Sequence, residues 1–110
     1  MTDKQFSTIF SKYAIEAKAC LWPKNDYSWA DRERTLKMMN GLLAAIPDSL
    51  YPKDSEDDSV ILRSGNWRLD LMRMEDGVKG ANLSYAKDDH TAWVAQGGDG
   101  KWVDFDIGGS

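Results

Sequence analysis

The chain has one cysteine, one histidine and three prolines in 110 residues. Each scarcity closes a class of function. A lone Cys20 cannot form an internal disulfide, and its place in a helical pattern marks it as a small buried hydrophobe. With His90 the only imidazole, set after Asp88 and Asp89 in a charged turn, histidine-based acid–base catalysis has no second partner. No apolar run approaches the ~20 residues that cross a bilayer. The start, Met1-Thr-Asp-Lys-Gln5, lacks the basic and apolar regions of a secretory leader, so the chain reads as cytoplasmic. A Gly-x-Ser-x-Gly elbow and a Cys/His nucleophile signature are missing too. The sequence therefore points away from an enzyme, a resident cofactor and a bound metal.

What is present suits one globular domain over residues 1–110: 42% apolar residues, 11% aromatic and 29% charged. The net charge of −4 is unevenly spread. Residues 1–53 hold eight Lys/Arg against six Asp/Glu, and residues 54–110 hold six against twelve. An acidic C-terminal half repels phosphate backbones, which argues against direct nucleic-acid binding and for a protein partner with a basic surface.

Thr2 and Gln5 form a capping box, and Phe6, Ile9, Phe10, Tyr13, Ala14, Ala17, Cys20 and Leu21 follow at three- and four-residue steps. The spacing predicts one helix over about 3–21, ended by Pro23. The aromatic connection Trp22-Pro-Lys-Asn-Asp-Tyr-Ser28 reads as a lid over the core edge, and Ser28 as the cap of a second helix over about 29–46, with Leu36, Met39, Leu43 and Ile46 as its apolar stripe. Gly41 either weakens that helix or admits a close neighbour. Residues 47–58 are a polar linker anchored by Leu50 and Tyr51. Its acidic end, 54–58, lacks the glycine turn and ligand offsets of a calcium loop.

From Ser59 the hydrophobic period changes from helical to alternating. Strands are predicted over about 59–63, 67–75, 78–86, 91–96 and 101–107, with turns at Ser64-Gly65-Asn66, at Asp76-Gly77 and over Lys87–His90, and with Gly80 as a bulge. The fold class is α+β: two N-terminal helices packed on one face of an antiparallel meander.

The richest stretch is the last hairpin. A symmetric turn across Gly97–Gly100 pairs Gln96 with Lys101, Val94 with Val103 and Ala92 with Phe105 on an apolar face. Trp93, Trp102, Asp104 and Asp106 then share the outer face, with Asp99 in the loop and Trp67 nearby. Asp104 and Asp106, about 7 Å apart by the strand rise, are too few ligands for a recognisable metal site. The glycine-rich loop joins two strands, where phosphate loops join a strand to a helix. Tryptophans beside carboxylates instead suit a protein-docking patch. The expected function is a small acidic inhibitor, of the kind that neutralises a toxin or a defence nuclease, either monomeric or homodimeric. The alternative is a small-ligand binder or minor enzyme whose pocket, between helices and sheet, is lined by Met38, Met39, Met72 and Met74.

Overall fold

The computed structural model describes residues 1–21, 29–85 and 90–104. Its helices are α1 (Asp3–Phe10), α2 (Ala14–Leu21) and α3 (Trp29–Ala44), followed by a 3₁₀ turn at Asp48–Leu50. Five strands follow: β1 (Val60–Ser64), β2 (Trp67–Arg73), β3 (Lys79–Tyr85), β4 (His90–Gln96) and β5 (Trp102–Asp104). They form one antiparallel sheet in the order β1-β2-β3-β4-β5, the expected meander. The aromatic lid, Pro23 and the Ser28 cap lie outside the described residues, as do residues 86–89 and 105–110. His90, placed by the sequence in a turn, opens β4.

The capping box forms as read: Gln5 N–H donates to Thr2 Oγ1 at 3.1 Å and Thr2 N–H to Gln5 Oε1 at 2.8 Å. The single helix over 3–21 does not. Ser11 Oγ donates back to the Thr8 carbonyl, and the N–H groups of Lys12 and Tyr13 reach Ile9 O and Phe10 O, one residue short of α-helical spacing. The chain bends there. The bend lets Phe10 pack on Trp67 of β2, ring centroids 5.4 Å apart, while Ala17 and Cys20 stay buried. Gly41 admits a close neighbour: a methyl group at its α-carbon would meet the Tyr13 ring at 3.1 Å.

The core lies between the helices and one sheet face. Phe6, Phe10, Met39 and Leu42 meet Leu62, Leu69, Leu71, Leu83 and Val94, all buried. Their registers agree, since Leu62 pairs with Leu69, Leu69 with Leu83, and Ala81 with Val94, which places every one on the helix side.

The edges of a sheet expose unpaired backbone groups, and here helix side chains bond one such group on β1 and two on β5. At β1, Arg63 N–H donates to Asp3 Oδ1 at 3.0 Å. At β5, the Asn40 carboxamide accepts from Trp102 N–H at 2.9 Å and donates to Trp102 O at 3.1 Å, as a neighbouring strand would. It also donates to Leu36 O at 2.8 Å.

Asn40→Ala is expected to destabilise the protein by about 1–3 kcal/mol, because two half-buried backbone groups of Trp102 lose their partner. Asn40→Asp should do no better, having no donor for Trp102 O. Urea unfolding of the three proteins checks this; a loss below about 0.5 kcal/mol for both variants would show that the clamp contributes nothing.

Candidate docking face and its charged rim

The last hairpin decides which side chains face outward, and its turn is not symmetric. Gly97 N–H donates to Lys101 O at 2.8 Å, Gly100 N–H to Gly97 O at 3.0 Å, and Gly100 sits at φ 87°. That pattern is a glycine bulge, which inserts one extra residue on the β5 side. Asp99 Oδ1 accepts from Lys101 N–H at 3.0 Å and Gln96 Nε2 donates to Gly100 O at 2.9 Å, tying the loop down. The β2–β3 loop repeats the device: Met74 N–H to Val78 O, Gly77 N–H to Met74 O, and Gly77 at φ 85°. Gly80, read as a bulge, is in register between Met72 and Ala95.

The extra residue shifts the expected pairing by one. Gln96 opposes Trp102, Ala95 opposes Val103, and Val94 opposes Asp104. Trp102 therefore turns inward and is 6% exposed, while Val103, expected beneath the helices, is 52% exposed. Trp102 stacks on Tyr51 at 6.0 Å, and Lys79 Nζ lies 5.0 Å from the Tyr51 ring centroid and bonds Asp48. Burial, and after it the negative charge of Asp48, pushes the Tyr51 hydroxyl far above its ordinary pKa. Burial likewise raises the Cys20 thiol, which suits a core residue better than a nucleophile.

Of the described candidate site residues, only Trp93 lies on the outer sheet face, half-buried and paired with Asn82. Asp104 shares the helix-side face with Val94. Trp67 is also on the helix side, half-buried, 4.8 Å from the Tyr85 ring. Asp99 is exposed at the loop. Asp106, with Phe105 and Ile107, lies outside the described residues. The expected grouping of Trp93 with Trp102 and Asp104 on one face is thus overturned, because a one-residue slip sends the side chains of Trp102–Asp104 to the opposite side.

The outer face has a different set. No described helix covers it. Met72, Gly80, Ala95 and Val103 form one row across β2 to β5, and Ile61, Asp70, Asn82 and Trp93 form the next. Met72 and Met74 bury Gly80: a methyl added there would lie 2.9 Å from Met74 Sδ and 3.0 Å from Met72 Cγ. Arg68 holds Asp70 through two bonds of 2.6 and 3.1 Å. Asn82 Oδ1 is buried with no hydrogen-bond partner among the described residues. Trp93 was expected on this face, whereas Met72 was expected in a pocket beneath the helices, although its alternation with Leu69 and Leu71 already puts it on the outer side.

The four methionines expected around one pocket are split. Met38 and Met39 are core residues, and Met72 and Met74 belong to the far side of the sheet. The helical side does carry an open groove of about 710 Å³ lined by Lys12, Tyr13, Glu16, Arg34, Lys37, Met38 and Gly41. Arg34 is forked onto Glu16 there, at 2.9 and 3.1 Å. Among the described residues no group of three His, Cys, Asp or Glu could hold a metal, and no helix is long and apolar enough to cross a membrane.

No family model, curated protein or solved structure matches the chain.

Two outcomes check this geometry. Trp102→Ala should cost about 3–5 kcal/mol by urea unfolding, and Trp93→Ala less than half of that; the reverse order would restore the outward Trp102. The Asp48 carboxyl titrates below its ordinary range because Lys79 bonds it. A depressed folded pKa stabilises above the unfolded value and is lost as pH falls through the folded one. Asp48→Asn should therefore flatten the decline of stability below about pH 4, and an unchanged acid limb would refute the coupling.

Proposed function

We propose that this protein is a non-enzymatic binding protein that inhibits or neutralises a larger protein by docking on it through the outer face of its sheet. The observation that carries the proposal is a five-stranded face that no described helix covers, on which Val103 and Ile61 are exposed and Met72, Met74, Ala95 and Trp93 are half-buried. Val103 and Ile61 stand at opposite edges of this face with the half-buried apolar residues between them, and an apolar face of this kind suits an interaction surface. Tryptophan and methionine supply contact area and adaptability. The acidic balance of residues 54–110 adds a preference for a basic partner, such as a nuclease or another nucleic-acid-binding protein.

A second reading, small-ligand binding, is favoured by the groove between α2 and α3, where Lys12, Arg34 and Lys37 outnumber Glu16 around Tyr13. A saturable rise in melting temperature with an anionic metabolite would select it.

The docking proposal is tested by capture from the native host with wild type and with Val103→Lys, which places a charge on an exposed position and spares the core. The expected result is one protein retained by wild type, held at least about tenfold more weakly by the variant, and losing activity when purified and mixed with wild type. Equal retention by both would overturn the proposal.

A further inference from the structure

The outer face is bordered by acidic loops at one end, while Arg63 and Arg68 stand toward the other, and the topology is the reason. In a five-stranded meander the β2–β3 and β4–β5 loops lie at the same end of the sheet, and β1 begins there, since Val60 pairs with Leu71 near the end of β2. Glu75 and Asp76 occupy the first loop, Asp99 the second, and the acidic segment 54–58 leads into β1; all are exposed. Ser55 lines the same depression as Arg73, Met74, Glu75 and Asp76, which brings that segment against the β2–β3 loop.

Of the cations near this end, Lys101 is exposed beside Asp99, and Arg73 and Lys79 are tied to neighbours. Arg73 donates to Pro52 O at 2.9 Å and to Gly77 O at 3.0 Å, and Lys79 bonds Asp48 on the helix side. The acids of this rim thus outweigh its cations. The row of Met72, Gly80, Ala95 and Val103 is the outer row nearest that end, and Met74 folds over it. At about 4.8 Å between strands the row is about 14 Å long, enough for roughly two and a half turns of helix.

Edge pairing is the other common way to recruit a chain to a sheet. Here it is opposed by Asp3 at Arg63 and by Asn40 at Trp102. A face contact remains, and the element that brings an apolar stripe flanked by charge onto a face is an amphipathic helix. Methionines suit it because they adapt to irregular side chains. A second copy of this chain is disfavoured, since each carries a net charge of −4.

We propose that the loop end of the outer face seats a cationic amphipathic helix of the partner, with its apolar stripe on Met72, Met74, Ala95 and Val103 and its Lys/Arg flank toward Glu75, Asp76 and Asp99. This rests on the docking function proposed above and names its occupant.

The test uses the full chain and fluorescein-labelled synthetic helices of about 14 residues, one of leucine and lysine and one of leucine and glutamate, followed by anisotropy. The Leu/Lys helix should bind at least about tenfold more tightly than the Leu/Glu helix, and more weakly as salt rises. Val103→Lys and the double variant Glu75→Lys/Asp76→Lys should each weaken it at least about fivefold, while Ile61→Lys, on the next row, leaves it within about twofold. All four substituted positions are exposed, and circular dichroism confirms that each variant folds. Binding of the Leu/Lys helix that ignores Val103→Lys or the loop reversal would overturn the proposal. So would a homodimer, seen by light scattering, that Val103→Lys dissolves. If the host partner is lost on Val103→Lys but is indifferent to Glu75→Lys/Asp76→Lys, the docking function stands and the cationic helix falls. If the host partner ignores Val103→Lys, the docking function itself falls.

Discussion

The carboxamide of Asn40 holds the last strand in place, and the two-sided character of the sheet depends on that hold. By offering an acceptor to Trp102 N–H and a donor to Trp102 O, it stands where a sixth strand would pair. An edge strand of three residues has few ladder bonds of its own, so an interaction that fits only one phase decides which side chains go inward. With Trp102 seated, its indole stacks on Tyr51 and closes the core beneath the linker, and Val103 is left outside.

The glycine bulge at Gly100 makes that phase reachable. Without its extra residue, Gln96 would oppose Lys101, and Val103 would face the helices in place of Trp102. The two hairpins at this end share the device, so both of their acidic loops are shaped by a positive-φ glycine that most residues could not replace without strain. One local backbone feature therefore sets both the composition of the core and the character of the outer surface. The consequence for function is a separation of roles: aromatic bulk holds the interior together, while smaller and more flexible apolar side chains meet solvent beside a negatively charged rim.

Much of the architecture was legible in the residues. The capping box, the change from helical to alternating period at Ser59, the turn glycines and the meander all follow from local chemistry, and the boundaries of the first four strands agree closely. The break between α1 and α2 was not legible, because the apolar spacing runs unbroken through Ser11–Tyr13 and the bend answers to Trp67 on a distant strand. The candidate site was legible only in part. Trp93 was placed outward correctly, whereas Trp102 and Asp104 were expected outward and face the helices, since each position depends on a pairing partner that composition does not disclose.

By itself the sequence determined the class of fold, the order of its elements and the segregation of acid into the C-terminal half, because capping, periodicity and charge act over a few neighbouring residues. Only the tertiary structure decided the phase of β5. Consecutive Trp102 and Val103 put an apolar side chain on each face of β5, so its pattern leaves either phase open, and the choice was made by Asn40, 62 residues away in the chain, together with one additional residue at Gly100.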